Sequence, residues 1–200
     1  NNFQRKILVI KHGALGDFIL ATGPMTAIRH HHNNDHIVLL TTSMLKDFAD
    51  ESKFFDEIWI DNRPKIFNII NWLKLIIKFR SSKFDWVYDL QTSNRSSLYY
   101  YFFSKQKPNW SGTVLRASHP HNNIDRVNMH TIDRHREQLE IAGLSNIPNP
   151  NLSWVSTNIE KFNIIEPYGV LVPGGSSHRS SKRWPSEYYV ELSRWLQTFG

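Results

Sequence analysis

Short runs of aliphatic residues alternate along this chain with longer segments in which apolar residues recur at helical spacing. The alternation is typical of an α/β protein, in which a parallel sheet has helices on both faces. The apolar runs predict strands at 5–11, 36–41, 56–61 and 84–90, and the periodic segments predict helices at 17–30, 43–50, 66–80, 94–103 and 131–144. The polar segment 108–130 is predicted to be mostly loop.

The same pattern starts again near the end of the chain. A proline-containing segment is followed by a predicted strand at 168–172, a turn of small residues and a predicted helix at 185–199. We therefore predict a first Rossmann-like domain at 1–150, a linker at 151–166 and the start of a second Rossmann-like domain at 167–200. The first residue is not Met and the last residues continue a helical pattern, so we expect the chain to be a truncated piece of a longer protein.

Composition narrows the class of protein without choosing a function. Hydrophobic residues make up 40% of the chain and charged residues 21%, which is typical of a globular domain. There is no cysteine, so disulfides and thiolate metal sites are excluded, as is usual for a cytoplasmic protein. No signal peptide or membrane-spanning run is visible. The net charge of +6 suits nucleic acid, anionic lipid or phosphorylated substrates.

Polar residues follow two of the predicted strands, where ligands bind in open α/β sheets. The first strand leads into Lys11, His12, Gly13, Gly16 and Asp17, and the fourth leads into Gln91 and Arg95. In the second part, Ser176 and Ser177 follow two glycines, and Lys182 and Arg183 precede the predicted helix. Exposed backbone N–H groups, hydroxyls and cations at a helix start are the components of a diphosphate site.

Three stretches carry a resemblance to a known family: KHGALGD after the first strand, FDWVYDLQ at the fourth, and VPGGSS followed by KRWP at the restart. In this order they resemble the ADP-heptose:lipopolysaccharide heptosyltransferases of glycosyltransferase family 9. The resemblance implies the GT-B fold, two Rossmann-like domains with the active site between them. It also implies inverting transfer of heptose from ADP-heptose to a lipid A–Kdo core acceptor, on Kdo or heptose, with no essential metal.

The resemblance also implies roles for individual residues. Asp17 takes the place of the catalytic base, and Lys182 the place of a lysine that holds the donor diphosphate. Arg183, Ser176 and Ser177 are candidates for the same diphosphate site. Lys11 and His12 are candidates for contact with the acceptor or the donor, and Gln91 and Arg95 for contact with the acceptor. We expect a cytoplasmic enzyme at the inner face of the inner membrane, with the 200-residue piece inactive by itself.

Each of these roles has a structural alternative. Asp17 could cap a helix, Gly13 and Gly16 could only shape a turn, and Lys182 with Arg183 could be a solvated pair. His30, His31 and His32 suggest a metal site, but adjacent helical residues do not share a face, which favours a plain helix end. The aromatic residues at 99–103 and the apolar segment 66–79 are typical of core. Lysines in and beside 66–79 also suit the surface of an anionic bilayer.

Two other functions stay open at this point. The chain could be a non-catalytic remnant or a binding module for anionic lipid, or it could belong to a GT-B transferase that uses another nucleotide sugar. Nucleic acid is disfavoured as a partner, because the basic residues are scattered and no RNA-binding aromatic motif is present.

Overall fold

The computed structural model describes residues 5–61, 63–64, 68–166, 168–175, 181 and 183–199. The chain forms two compact units, Asn1–Val155 and Ser156–Gly200. The first unit contains a complete sheet with helices on its faces, and the second contains one long helix with irregular segments before it. The roles predicted for the two parts of the chain stay predictions.

The first unit is built on a six-stranded parallel sheet. Its strands are β1 (Lys6–Ile10), β2 (His36–Thr41), β3 (Glu57–Ile60), β4 (Trp86–Asp89), β5 (Asn109–Gly112) and β6 (His119–Pro120). The order across the sheet is β3-β2-β1-β4-β5-β6, which is the strand order of the Rossmann fold. The order reverses between β1 and β4, so the crevice outside their carboxyl ends is the expected ligand site.

Helices cover both faces of this sheet. They are α1 (Leu15–Leu20), α2 (Thr22–His31), α3 (Lys46–Glu51), α4 (Ile69–Ser81), α5 (Asn94–Tyr99) and α6 (Thr131–Ile141), and the second unit adds α7 (Ser186–Leu196). Alternate residues of β1 point to opposite faces: Ile7 and Val9 join one core cluster and Leu8 and Ile10 the other. The fold class predicted from the alternation is confirmed.

Several boundaries differ from the sequence prediction for physical reasons. The helix predicted at 17–30 is divided into α1 and α2 at Ala21, just before Gly23 and Pro24. The segment predicted as loop at 108–130 contains β5 and β6, so that prediction is wrong there. Both strands are short and mostly polar, and only their place in the sheet identifies them: β5 pairs with β4, with Trp110 and Ser111 fully buried, and half-buried β6 pairs with β5.

The second unit departs further from prediction. The structure describes residues 168–172 and assigns them no strand, so the strand predicted there is wrong for this chain. No strand among the described residues pairs with this segment, and its side chains Val170 and Val172 are exposed. The predicted helix is present as α7, with Pro185 at its N-cap. Within the described residues, no helix of either unit has the length and apolarity needed to cross a bilayer.

Candidate active site

The turn after β1 lies at the point where the strand order reverses, and its first glycine is required by geometry. Gly13 has a φ of +82°, which an L side chain rarely adopts, and a Cβ added there would lie 2.4 Å from Leu45 Cδ1. A Cβ added at Gly16 would have no atom within 4 Å, so of these two glycines Gly13 is the one with a steric reason to be glycine. The turn-shaping role considered for these residues therefore holds for Gly13.

Gln91 connects this turn to the loop after β4. Its side-chain Oε1 accepts hydrogen bonds from the backbone N–H groups of His12 at 2.9 Å and of Gly13 at 3.2 Å. One side chain thereby satisfies two backbone N–H donors at the carboxyl end of β1. Gln91 thus fixes the turn, and a contact with an acceptor stays a prediction for it.

Asp17 lies in the first turn of α1 and is exposed. The N-cap of this helix is Ala14, and no side chain caps it. Among the described residues, the Asp17 carboxylate has no hydrogen bond or ion pair. The carboxylate is therefore free to accept a proton from a ligand, which a capping carboxylate engaged with N–H groups would do less well.

Asp17 borders a cavity of about 190 Å³ that we call the basic cavity. Three cations line it, Lys11, Arg126 and Arg134, and Asp17 is the acid among its described lining residues. The remaining lining residues are Leu90, Gln91, Thr92, Thr131 and His135. A small space with three cations around one carboxylate favours an anionic ligand that also carries hydroxyl groups.

Lys11 is the most buried of these cations. Its Nζ donates a hydrogen bond to the carbonyl oxygen of Leu90 at 3.0 Å. Burial lowers its pKa to about 8, against the opposing effect of Asp17 and Asp89. His135 Nε2 lies 3.2 Å from the same carbonyl, and burial lowers the His135 pKa to about 3. His135 is therefore neutral at pH 7, and the charge at this point comes from Lys11.

A strained residue holds one wall of the basic cavity in place. Thr92 has a φ of +46°, which is an unusual conformation for a β-branched residue. Its N–H donates to Asp89 Oδ1 at 2.9 Å, and its Oγ1 accepts from Arg126 Nη2 at 2.7 Å. Strain of this kind persists only where the surroundings fix it, which occurs most often at functional sites. Thr92 thereby places Arg126 at the cavity.

Asp89 is a fully buried carboxylate beneath this loop. Its Oδ1 accepts the N–H groups of Gln91 and Thr92. Burial raises its pKa to about 6, although hydrogen bonding by the Thr92 backbone, the Ser96 side chain and the Gln91 backbone, together with the charge of Lys11, opposes the shift. Asp89 therefore shapes the loop that carries Gln91 and Thr92.

A second cluster of charges lies at the end of β3 and includes two predicted contact residues. Arg95 donates to both carboxylate oxygens of Asp61, at 3.1 and 3.2 Å, and Tyr99 Oη donates to the same carboxylate. His12 Nε2 lies 3.3 Å from Asp61 Oδ2, and burial lowers the His12 pKa to about 4. The Arg95 side chain is thus engaged within the protein, whereas buried His12 Nε2 has no hydrogen bond among the described residues, and ligand contacts stay predictions for both.

Sequence reasoning did not single out four residues of the basic cavity: Arg126, Thr131, Arg134 and His135. They come from the segment between β6 and α6 and from the first turns of α6. The sequence feature that could have indicated them is the high density of basic residues at the start of α6, the helix that follows the edge strand β6. The sequence alone does not show that this helix returns to the end of β1.

In the second unit, the predicted diphosphate residues are described only in part. Ser176, Ser177 and Lys182 lie outside the described residues. Arg183 is exposed, and its Nη2 donates to the carbonyl oxygen of Gly175 at 2.6 Å. A Cβ on Gly175 would lie 3.2 Å from Arg183 Cγ, so glycine lets the arginine side chain pack closely on the loop. The diphosphate role of all four residues stays a prediction.

The three adjacent histidines lie at the C-terminal end of α2. His30 and His31 end α2, and buried His32 contacts Asp35 Oδ2 through Nδ1 at 2.7 Å and Tyr88 Oη through Nε2 at 2.9 Å. The prediction of a plain helix end is confirmed. In the part of the chain that the structure describes, no group of three or more His, Asp or Glu residues is placed to hold a metal ion.

Three solved structures resemble this chain closely in fold. A glycosyl transferase family 9 protein from Veillonella parvula matches with a TM-score of 0.73 and 19% identity, over 98% of this chain and 60% of its own. The E. coli heptosyltransferase WaaC, solved with ADP-2-deoxy-2-fluoro heptose, matches with a TM-score of 0.66 and 16% identity, over 96% of this chain and 65% of its own. E. coli ADP-heptose lps heptosyltransferase II matches with a TM-score of 0.68 and 17% identity, over 98% of this chain and 62% of its own.

At these identities the structures show the fold, and this chain spans 60% to 65% of the length of the three. A search of curated proteins found no match. The family model described as glycosyltransferase family 9 (heptosyltransferase) matches residues 72–200, which is more than half of the chain. The chain therefore belongs to glycosyltransferase family 9, the heptosyltransferase family.

Proposed function

We propose that this chain is the acceptor side, with the start of the donor side, of an inverting heptosyltransferase in which Asp17 is the general base. The observation that carries the proposal is the basic cavity, where an exposed carboxylate and three cations meet at the crevice between β1 and β4. Family membership supports the reaction class.

In the proposed step, Asp17 accepts the proton of an acceptor hydroxyl while that oxygen forms a bond to the anomeric carbon of the donor sugar. The bond between the anomeric carbon and the diphosphate oxygen breaks, and ADP leaves with the electron pair. A single displacement of this kind inverts the anomeric centre. General-base assistance contributes roughly 10²–10⁴-fold in rate.

The cations of the basic cavity suit an acidic acceptor sugar. We assign Lys11, Arg126 and Arg134 to the anionic group of a lipid A–Kdo core acceptor, with the accepting hydroxyl on Kdo or heptose. A lysine pKa of about 8 leaves Lys11 mainly protonated at pH 7, as this role requires. Arginine guanidinium groups suit carboxylates because they can donate two parallel hydrogen bonds.

We propose ADP-heptose as the donor, with Lys182, Arg183, Ser176 and Ser177 at its diphosphate. E. coli WaaC has been solved with ADP and with an ADP-heptose analogue, which supports a nucleotide sugar for this family member. The proposal assigns no step to a metal, so a chelator should not change the rate. It places the enzyme at the cytoplasmic face of the inner membrane, and it expects no turnover from the 200-residue chain alone.

The test is the Asp17→Asn substitution in a protein that carries both transferase domains in full. We expect kcat to fall by roughly 10²–10⁴-fold because the base is lost, while ADP binding by calorimetry is retained. Asp47→Asn is the matched control, since Asp47 is an exposed acid in the first turn of α3. Turnover near the parent value in the Asp17 variant would exclude Asp17 as the base.

One alternative has support from the same cavity. Because all of its described lining residues belong to the first unit, this unit could bind an anionic ligand without any transfer. Binding of a Kdo-containing acceptor to a protein with both domains in full, with no sugar transferred from any nucleotide donor, would favour that binding module. Transfer from a nucleotide sugar other than ADP-heptose would instead correct only the donor.

A further inference from the structure

Helix α4 has two apolar faces, and only one of them is packed. Leu75, Ile76 and Phe79 pack into the core on one side of the sheet, with Phe79 fully buried. The other face consists of four aliphatic residues that we call the outer face of α4. They are Ile69, Ile70, Leu73 and Ile77, exposed by 67%, 69%, 52% and 64%.

The four residues form one continuous stripe. Successive residues of a helix are about 100° apart, so this set falls within an arc of about 100°, on the side away from the packed residues. Single exposed aliphatic residues are common on protein surfaces and need no explanation. A contiguous stripe of four β-branched or branched aliphatics is different, because such patches mark an interaction surface.

The charged side chains of helix α4 itself all have one sign. Helix α4 carries Lys74, Lys78 and Arg80 and no acidic residue. Lys74 and Lys78 follow one border of the stripe and line a small cavity beside it. The acid in that cavity, Asp61, is buried and bound to Arg95, so its charge is already compensated. Glu57 lies close enough to Lys78 to affect its pKa, which burial lowers.

Two of these cations also hold the helix against the rest of the first unit. Arg80 Nε donates to the carbonyl oxygen of Phe102 at 3.0 Å, and Lys78 Nζ lies 3.9 Å from the centre of the Trp59 ring. Long basic side chains of this kind cover apolar surface with their stems and keep the charge near water. The face therefore combines a fixed helix, an exposed aliphatic stripe and a basic border.

We propose that the outer face of α4 is a contact surface for an anionic lipid bilayer. Aliphatic side chains would enter the boundary of the acyl region while Lys74 and Lys78 meet lipid phosphates, which is how basic amphipathic helices lie on membranes. A second copy of the chain fits less well. Pairing two such faces would bring basic borders together, and α4 offers no acid to compensate them.

The outer face of α4 has no role in the proposed transfer step, but a membrane contact agrees with the proposed function, in which the acceptor is a lipid. Its test uses vesicles without acceptor or donor, so the result does not depend on whether sugar is transferred. We would measure co-sedimentation of the full chain with phosphatidylcholine vesicles and with vesicles that also contain phosphatidylglycerol.

We expect binding to the anionic vesicles that weakens as salt is added. Replacing Ile70, Leu73 and Ile77 by Ser should weaken binding by roughly a thousandfold or more, because each of the three aliphatic side chains contributes about tenfold or more when buried. The matched control replaces Leu115 and Ile124 by Ser, which are 78% and 95% exposed elsewhere on the first unit. This control should bind like the parent.

A second pair of variants tests the charges. Lys74→Gln with Lys78→Gln should weaken binding by roughly twentyfold, since each basic residue near an anionic surface contributes about fivefold. Lys53→Gln with Lys105→Gln, two exposed lysines elsewhere, should not change it. Circular dichroism would confirm that each variant is folded.

Three results would overturn the proposal. The first is no binding of the parent chain to anionic vesicles, and the second is equal binding by the stripe variant and its control. The third is a dimer in sedimentation equilibrium that the stripe variant disperses, which would assign the outer face to self-association instead.

Discussion

Two segments of this chain have the same order of features and very different surroundings. At 6–20 and again at 168–199, a short apolar run is followed by a turn with glycines and then by a helix. In the first segment the run is β1, and Ile7, Leu8, Val9 and Ile10 are all fully buried. In the second, Val170 and Val172 are 73% and 71% exposed, and the described residues form no strand there.

The difference comes from neighbours rather than from the segments themselves. β1 pairs with β2 on one edge and with β4 on the other, so its backbone groups are bonded on both sides. Within the described residues, nothing pairs with 168–172, and several apolar side chains of α7 are also exposed. An apolar run becomes a strand when other strands satisfy its backbone, and periodicity in the sequence does not supply them.

The largest difference between the two units should lie in how the free energy of unfolding depends on pH, because the first unit contains a fully buried carboxylate. The pKa of Asp89 rises from 3.8 to about 6 because the side chain is buried. Between these values the folded form holds more protons than the unfolded form, so the free energy of unfolding should fall as pH rises through this window. The loss is about 3 kcal/mol for a shift of this size.

Asp89→Asn cannot lose a proton and should remove this loss. We would measure the free energy of unfolding in urea for parent and variant from pH 4 to pH 6.5. Over this range the variant should gain up to about 3 kcal/mol relative to the parent. Glu191→Gln, at an exposed acid of the second unit, is the comparison and should show no such change. A parent curve parallel to the Asp89→Asn curve would mean that Asp89 does not titrate in this window.

A valine-to-alanine substitution in each of the two apolar runs should give a smaller difference in the free energy of unfolding. Val9→Ala removes two methyl groups from a fully buried site and should cost about 2–3 kcal/mol of unfolding free energy. Val172→Ala alters an exposed site and should stay within about 0.5 kcal/mol. Urea unfolding measures the first, and amide hydrogen exchange near residue 172 measures the second. Equal costs would show that Val172 is buried in solution.

The glycines of the two turns should differ least. Gly13→Ala places a side chain at a φ of +82° and against Leu45, so it should cost about 1–2 kcal/mol. Around Gly174 no atom lies within 4 Å of an added Cβ, so Gly174→Ala should cost nothing or stabilise by less than about 1 kcal/mol. Thermal unfolding of both variants checks this. A harmless Gly13→Ala would contradict the conformation of the first turn.

The fold could be predicted where local pattern and long-range packing agree. β2 was predicted at its observed bounds, His36–Thr41, because an aliphatic run buried on both faces looks the same in sequence and in structure. β5 could not be predicted, since Ser111 and Gly112 have no strand preference. Burial of β5 depends on β4 and on Gln138 of α6, whose carbonyl oxygen accepts the hydroxyl of Ser111.

The candidate site divides in the same way. Asp17 and Gln91 could be located because each follows a strand, and strand ends hold ligands in this class of fold. Arg126 and Arg134 could not be located, because their approach to β1 depends on the order of strands β1, β4, β5 and β6 across the sheet. The distance between these residues in the sequence gives no information on the order of the strands. The polar loop that contains Arg126 has no periodicity from which its position could be inferred.

The hydrogen bonds of Gln91 also bear on how the site responds to pH. A carboxylate in place of this amide would accept from the same two N–H groups but would add a negative charge beside Asp17. The amide is neutral at every pH at which the protein is folded, so its two hydrogen bonds to the turn do not themselves depend on pH. A pH profile of the site therefore contains no contribution from the side chain of residue 91, and the titrating groups to consider are Lys11 and Asp89.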